Sequence, residues 1–188
     1  MAKLKPPEPA SRPHRLFEPI HGKTASVQIF KSARTGEHYD YVVFHARAAG
    51  CVSIFALDID EHVIAVRQYR HGAARFSLEF PGGLCQKGQK EEDAVLAELG
   101  EETGYFPTGM IRRLADRIYF DPASFDFFFA PYLATGCIEI GSQQQDEAEN
   151  IEVVKMPIGK WIEEIRKGGV QDAKTIATTH LALEALKI

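Results

Sequence analysis

The chain has 188 residues, of which 45% are hydrophobic, and its formal net charge is -4 at pH 7. This length accommodates one ordinary domain, or one domain with a small extension, and allows a sizeable buried core. The acidic balance argues against general binding to nucleic acid or to anionic membranes, because both favour basic surfaces. No apolar run approaches the roughly 20 residues of a membrane span, so neither nucleic acid nor a membrane is expected as a partner.

The beginning of the chain has four prolines in residues 1–13 and no apolar run. This composition predicts an extended arm and not a secretory signal. The three cysteines, Cys51, Cys85 and Cys137, are odd in number and lack the paired spacing of a metal site. We therefore expect reduced thiols and a cytoplasmic protein.

Strands are predicted where apolar and polar residues alternate, or where short apolar runs lie between turn residues. The predicted strands cover residues 27–30, 39–44, 52–57, 63–69, 76–80, 111–120, 125–133 and 151–156. Helices are predicted at residues 90–103, 158–167 and 172–186, with Asp172 as the N-cap of the last helix. Strands, a central helix, more strands and two terminal helices together indicate a mixed α/β sandwich.

The most informative stretch is GLCQKGQKEEDAVLAELGEETGY, residues 83–105, in which a glycine-rich turn leads into a helix with many carboxylates. Glu98, Glu101 and Glu102 recur at i, i+3 and i+4, where like charges oppose one another by a few tenths of a kcal/mol per pair. Convergent carboxylates are the ligands that a hard divalent cation such as Mg²⁺ prefers. A solvated acidic helix face is the alternative interpretation of the same spacing.

This stretch resembles the Nudix box, the loop and helix signature of hydrolases that act on nucleoside diphosphates linked to another moiety. The box pattern is G, five residues, E, seven residues, then R-E-U-x-E-E-x-G-U, where U is bulky and apolar. The residues in register are Gly83, Glu98, Leu99, Glu101, Glu102, Gly104 and Tyr105. Gln89 and Ala97 replace a Glu and an Arg that pair in the family and brace the loop against the helix. Losing both partners is less damaging than losing one, because no charge is left unpaired.

Further stretches resemble one branch of that family, the ADP-ribose pyrophosphatases and related nucleotide-sugar hydrolases. AVRQYR at residues 65–70 resembles a strand of this branch, and LEFPGG at residues 78–83 resembles its E-x-P-A-G motif before the box, with Gly82 in place of Ala. Pro122 lies close to the position of a marker proline. The resemblance covers nearly the whole chain from about residue 20 onward.

The resemblance implies an α+β fold, an α/β/α sandwich with a mixed sheet. It also implies a division of the chain into the arm at residues 1–13, a small N-terminal β subdomain at residues 14–48 and a Nudix hydrolase domain at residues 49–188. In this branch the N-terminal strands pack across a dimer, so a homodimer is expected.

The resemblance also implies a metal site. Glu98 and Glu102 would hold Mg²⁺, with Mn²⁺ as the alternative ion, Glu101 would lie nearby, and the carbonyl of Gly82 would be a backbone ligand. A carbonyl ligand needs no side chain, so Gly in place of Ala is compatible with this role.

Substrate contacts and a general base are implied as well. Arg70 would contact the diphosphate, since a guanidinium fork suits phosphate oxygens, and Glu79 would bind substrate hydroxyls or the base. Pro122 would belong to the substrate site. Glu147 or Glu149 would activate water. The alternatives are a surface charge for Arg70 and solvated loop acids for the last two glutamates.

The expected reaction is metal-assisted hydrolysis of the pyrophosphate bond of a nucleoside diphosphate sugar, in the first place ADP-ribose, to a nucleoside monophosphate and a sugar phosphate. Gln89 and Ala97 suggest one alternative, a Nudix-like domain that binds a nucleotide sugar without hydrolysing it. The other alternative is a Nudix hydrolase of GDP-mannose or of dinucleoside polyphosphates.

Overall fold

The structure, a computed structural model, describes residues 8–16, 24–45, 50–144 and 150–188. Twelve strands and three helices lie in these residues, in the order β1 (Glu8–Pro9), β2 (His14–Arg15), β3 (Thr24–Lys31), β4 (His38–His45), β5 (Cys51–Asp58), β6 (His62–Arg70), β7 (Arg75–Glu79), α1 (Glu91–Thr103), β8 (Tyr105–Pro107), β9 (Ile111–Arg113), β10 (Ile118–Tyr119), β11 (Phe128–Glu139), β12 (Ile151–Pro157), α2 (Ile158–Arg166) and α3 (Ala173–Leu186).

The chain divides into two units. The first comprises Met1–Arg47 and Asp121–Phe127, and the second comprises Ala48–Phe120 and Phe128–Ile188. In the first unit β3 pairs antiparallel with β1, β2 and β4 in a four-stranded sheet. Strands at 27–30 and 39–44 are therefore confirmed, whereas the expected domain boundaries stay a prediction.

A Ser–His–Asp chain of hydrogen bonds lies in the first unit. Ser26 Oγ is 2.7 Å from His45 Nε2, and His45 Nδ1 is 2.5 Å from Asp126 Oδ2. Ser26 is buried in β3, which is flanked on both sides by paired strands. Its backbone is thus part of the sheet, and the chain of hydrogen bonds ties Asp121–Phe127 to β4.

The second unit is built on a mixed sheet. β11 pairs parallel with β5 and antiparallel with β8, β9 and β10, and β6 pairs antiparallel with β5, β7 and β12. All eight residues of β5 are buried, as expected for a strand covered on both faces.

Helices cover both faces of this sheet. Successive β5 residues point to opposite faces, so Val52, Ile54 and Ala56 pack with α1, whereas Phe55 and Leu57 pack with α2 and α3. Trp161 of α2 is fully buried, and its indole N–H donates to Thr179 Oγ1 at 2.9 Å. The α+β class and the α/β/α sandwich are therefore confirmed.

The three helices agree with the predicted ones to within a residue at each end. Asp172 is the N-cap of α3, and its carboxylate accepts the backbone N–H of Thr175 at 2.9 Å. None of the helices in the described ranges is long and apolar enough to cross a bilayer.

Two predicted strands differ from the structure. The stretch 111–120 forms two short strands, β9 and β10, because a turn with an Arg113–Asp116 ion pair separates them. The stretch 125–133 begins as a strand only at Phe128 and continues to Glu139. Most of this strand is buried between paired neighbours, so no apolar and polar alternation marks its true extent.

The stop of α1 at Gly104 provides a stability prediction. Its φ is +76°, and a Cβ at this residue would lie 2.3 Å from the carbonyl oxygen of Gly141. We expect Gly104→Ala to lower the free energy of unfolding by more than the ~1–2 kcal/mol of left-handed backbone strain alone, as measured by urea unfolding. Gly88→Ala is the control, because φ there is +84° and nothing lies within 4 Å of the added Cβ. An equal decrease in the free energy of unfolding in the two variants would contradict a role for the contact with Gly141.

Candidate active site

The loop before α1 lies directly along β5. The backbone N–H groups of Val52 and Ile54 donate to the carbonyls of Gly83 and Pro81, both at 3.0 Å. Gly82 has a φ of +154°, and an added Cβ would lie 2.2 Å from the carbonyl oxygen of Val52. Glycine at this position is therefore required by the close backbone approach, which explains the departure from Ala.

Two glutamates of α1 meet this loop. Glu102 is buried, and its Oε2 accepts the backbone N–H of Gly82 at 2.9 Å. The carboxylate of Glu98 lies against Gly83, where an added Cβ would come within 2.2 Å of Oε1. The two carboxylates thus converge on the backbone of Gly82 and Gly83, and carboxylate oxygens are the ligands that a hard divalent cation prefers.

Glu101 lies apart from this convergence. Its side chain is exposed and lines a groove whose other walls include Ala97, Gly100, Ile140 and Gln144. Glu101 and Glu102 are consecutive in the helix, so their side chains point in directions about 100° apart around the helix axis. The metal roles predicted for Glu98, Glu101 and Glu102 stay predictions. Glu98 and Glu102 lie where a metal ligand beside the glycine loop would have to lie.

A different cluster consists of Asp58, Asp60 and His62. In the described residues it is the one group of three His, Cys, Asp or Glu side chains whose possible metal-ligand atoms lie within 4.8 Å of one another. Asp58 Oδ1 accepts the backbone N–H groups of Asp60 and His62, and Oδ2 accepts from Lys155 Nζ at 3.1 Å. Burial raises the pKa of Asp58, but these hydrogen bonds outweigh burial and lower it overall. The carboxylate stabilises the turn between β5 and β6, at the opposite end of β5 from the glycine loop.

Arg70 and Glu79, predicted as separate substrate contacts, form a bidentate ion pair. Arg70 Nε donates to Glu79 Oε1 at 2.9 Å and Nη2 donates to Oε2 at 2.6 Å. Glu79 is buried, whereas 45% of the Arg70 side-chain surface is exposed. The carboxylate therefore orients a guanidinium group whose outer side faces solvent.

A buried lysine that the sequence analysis did not single out completes this pair. Lys174 Nζ lies 3.7 Å from Glu79 Oε2 and 3.6 Å from Asp172 Oδ2. Asp172 also accepts the hydroxyl of Thr175 at 2.6 Å, and that hydroxyl accepts the backbone N–H of Phe80 at 3.2 Å. The start of α3 is thereby fixed to the residues that lead into the glycine loop.

A sequence signal for Lys174 does exist. Lys174, Thr178 and Ala182 are buried at i, i+4 and i+8 of α3. A lysine in register with the buried positions of a helix needs a partner, since an unpaired buried charge is costly.

The predicted general bases, Glu147 and Glu149, lie outside the described residues. The described residues on either side of them are held beside α1: Gln144 N–H donates to the Glu101 carbonyl at 2.8 Å. Gln143 Nε2 donates to the carbonyls of Glu102 at 2.5 Å and Ile151 at 3.1 Å. This amide, which no sequence signal identified, joins both ends of the loop to the C-terminal end of α1.

Pro122 lies in the turn that precedes β11. The backbone N–H of Ala123 donates to Asp121 Oδ1 at 3.0 Å, which stabilises this turn. Pro122 belongs to the first unit, and its role in substrate binding stays a prediction.

A mixed sheet between helices, with a glycine loop that leads into a helix bearing docked glutamates, is the arrangement of a Nudix hydrolase domain. The NUDIX domain family model matches residues 44–178. The ADP-ribose pyrophosphatase of Bacillus subtilis (strain 168) is 31% identical over 141 residues, which are 73% of this chain and 75% of that protein. The GDP-mannose pyrophosphatase of Salmonella typhimurium is 28% identical over 151 residues, 72% and 76% of the two chains.

Among solved structures, the crystal structure of an ADP compounds hydrolase has the same fold. Its TM-score is 0.86 at 21% sequence identity, and the match covers 100% of this chain and 97% of that one. The chain belongs to the Nudix family, as the box predicted, and it is a Nudix pyrophosphohydrolase.

The ion pair of Glu79 generates a prediction on pH dependence. Burial raises the pKa of Glu79, but Arg70 and Lys174 outweigh burial, so the pKa is lower in the folded protein than in the unfolded chain. Its stabilisation is therefore present above the unfolded pKa and is lost as pH falls through the lower folded value. We expect Glu79→Gln to lower the free energy of unfolding by about 2 kcal/mol at pH 7, less than for a fully buried pair because Arg70 is half-exposed.

Urea unfolding at pH 7, 5, 4 and 3 measures this effect. The difference between wild type and Glu79→Gln should shrink below about pH 4. Glu152→Gln is the control, because Glu152 also accepts from an arginine of β6, Arg67, but both side chains are exposed. It should change stability by less than about 1 kcal/mol. A pH-independent difference for Glu79→Gln would contradict the assignment.

Proposed function

We propose that this protein hydrolyses the pyrophosphate bond of ADP-ribose in a metal-dependent reaction and releases AMP and ribose 5-phosphate. The observation that carries the proposal is the convergence of the Glu98 and Glu102 carboxylates on the backbone of Gly82 and Gly83. Similarity to the ADP-ribose pyrophosphatase of Bacillus subtilis supports this choice of substrate.

The ion that we propose is Mg²⁺, with Mn²⁺ as the alternative, because Nudix enzymes generally use divalent metals. Glu98, Glu102 and the Gly82 carbonyl would hold it, with Glu101 as an additional carboxylate nearby. When bound, such an ion offsets the charge of a diphosphate and lowers the pKa of a bound water.

The other steps fall to side chains of the chain itself. Arg70, oriented by Glu79, presents its exposed guanidinium to the diphosphate. Glu147 or Glu149 accepts the proton of the attacking water, and anchoring of the flanking Gln143 and Gln144 at the end of α1 supports this role. Attack in line with the leaving phosphate then yields the two monophosphates.

GDP-mannose is the second candidate substrate, on the basis of the similarity to a GDP-mannose pyrophosphatase over 72% of this chain. Binding without hydrolysis is the competing hypothesis, based on Gln89 and Ala97. A panel of ADP-ribose, GDP-mannose, UDP-glucose and diadenosine polyphosphates, assayed for phosphate release with coupled phosphatase, separates these functions. Turnover of ADP-ribose with Mg²⁺ and none with EDTA is the expected result. Measurable binding without turnover of any compound would favour the binding hypothesis.

The metal site is tested by single substitutions. We expect Glu98→Gln and Glu102→Gln each to lower kcat by more than about 100-fold with the fold intact, since each removes a charged metal ligand. The measurements are steady-state kinetics and circular dichroism. Glu92→Gln, on the exposed side of the same helix, is the matched control. Full turnover in both ligand variants would refute this site.

A neighbouring glycine tests the same site without removal of a carboxylate. A Cβ at Gly83 would meet the end of the Glu98 side chain, which can move at little cost to folding. Gly83→Ala should therefore leave the melting temperature nearly unchanged and weaken Mn²⁺ binding, measured by calorimetry. Gly82→Ala should lower the melting temperature, because its Cβ would meet the backbone of Val52.

We further propose a cytoplasmic homodimer. The exposed large apolar side chains of the first unit support a homodimer, and they include Ile29, Tyr39, Tyr41, Val42 and Phe44. Ile29, Val42 and Phe44 lie on one face of the sheet and Tyr39 and Tyr41 on the other, and exposed apolar patches of this kind mark interaction sites. Light scattering after gel filtration should give twice the chain mass of 21.0 kDa, and a monomer at micromolar concentration would contradict this proposal.

A further inference from the structure

Glu91, in the first turn of α1, is held by two side chains of the sheet that lie outside the Nudix box. Arg113 Nε lies 2.8 Å from Glu91 Oε2, and Arg113 Nη2 donates to Oε1 at 3.0 Å. The Tyr132 hydroxyl donates to Oε2 at 2.9 Å. Arg113 of β9 and Tyr132 of β11 are directly opposite each other in the sheet, so a single cross-strand pair grips one carboxylate.

This contact is better defined than an ordinary surface ion pair. The Arg113 guanidinium makes a two-point contact with Glu91, and its Nη1 donates to Asp116 at 2.8 Å, which fixes the plane of the group. Tyr132 is 1% exposed. Burial and the hydrogen bond to Glu91 both raise the pKa of Tyr132, so its hydroxyl remains a donor at neutral pH.

The box itself lacks its usual charged brace. Gln89 Oε1 accepts the backbone N–H of Gln86 at 2.9 Å, so this side chain closes the loop on itself. Ala97 lines the groove beside Glu101. At the beginning of α1, an ion pair between Glu91 and Arg113 joins the helix to the sheet.

Glu91 also lies in line with the two glutamates that dock on the glycine loop. Glu91 and Glu98 are seven residues apart and Glu98 and Glu102 four, so all three lie within about 40° on one helix face. Fixing Glu91 to the sheet therefore fixes both the rotation and the height of that face. A helix free to turn by about 20° would move a glutamate carboxylate, several ångströms from the axis, by more than about 1 Å.

We infer that Arg113 and Tyr132 are positioning residues that replace the missing brace of the box and, through Glu91, place Glu98 and Glu102 against Gly82 and Gly83. This inference rests on the proposed metal site. It assigns a positioning role to Arg113 and Tyr132, which lie outside the glycine loop and the helix that carry the proposed metal ligands.

The first test compares Arg113→Ala with Arg112→Ala. Arg112 is the neighbouring residue of β9, and its side chain points to the opposite face of the strand, so the control removes the same charge from the same strand. We expect Arg113→Ala to speed amide hydrogen exchange over residues 91–98 in the metal-free protein. It should also weaken Mn²⁺ binding by about tenfold, as loss of partners of metal ligands does. Arg112→Ala should change neither quantity.

The second test restores the brace of the family. Gln89→Glu and Ala97→Arg, introduced together into Arg113→Ala, should bring Mn²⁺ affinity and the exchange rates back toward those of the wild type. Arg113→Lys, which keeps the charge and loses the two-point contact, should give intermediate Mn²⁺ affinity, and it serves in place of Arg113→Ala if that variant does not fold.

Two results would overturn the inference. The first is identical behaviour of Arg113→Ala and Arg112→Ala, and the second is a failure of the restored pair to recover Mn²⁺ affinity. Absence of turnover in the wild-type protein would be a failure of the proposed function and would leave the exchange and Mn²⁺ measurements able to decide the role of Arg113.

Discussion

The close approach of the glycine loop to β5 is the constraint on which the site depends. A side chain at Gly82 would collide with the backbone of Val52, and only without one can the loop continue the hydrogen bonding of the sheet. The same approach leaves the N–H of Gly82 pointing away from β5 to meet Glu102. One steric requirement therefore determines both where the loop lies and where a buried carboxylate finds its donor.

Two helices on opposite faces of the sheet are anchored to this loop. α1 reaches it through Glu98 and Glu102, and α3 reaches the residue before it through Thr175 and the N–H of Phe80. Buried charges at the second junction, where Lys174 lies beside Glu79, would be costly alone and are tolerated because each has partners of opposite charge. The exposed guanidinium on one side and the docked carboxylates on the other thus share one rigid frame.

Local patterns predicted the helices, most strands and the family, because capping, periodicity and the box are properties of neighbouring residues. The contacts that orient the site are not local. Tyr132 and Glu91 are 41 positions apart, and Phe80 and Thr175 are 95 apart. Nothing near Arg113 in the sequence marks it as a partner of Glu91. The extent of β11 was missed for a related reason, since a strand buried on both faces shows no alternation.

Gln89 and Ala97 depart from the box pattern, which raises the question whether the glutamates of α1, Glu91, Glu98, Glu101 and Glu102, are only a solvated helix face. We call these four residues the acidic stripe. That interpretation fits Glu101, which is exposed, but not Glu102, which is only 5% exposed. Burying a carboxylate without compensation is unfavourable. The compensation here includes the backbone N–H of Gly82, which the loop can place beside Glu102 because Gly82 has no side chain to collide with Val52. Glu102 also anchors α1 to the glycine loop, so this carboxylate is more than part of a solvated face. The two-point contact of Arg113 with Glu91 supports the same conclusion, because it fixes the acidic stripe at the beginning of α1. With this contact in place, the charge pair inside the box is dispensable.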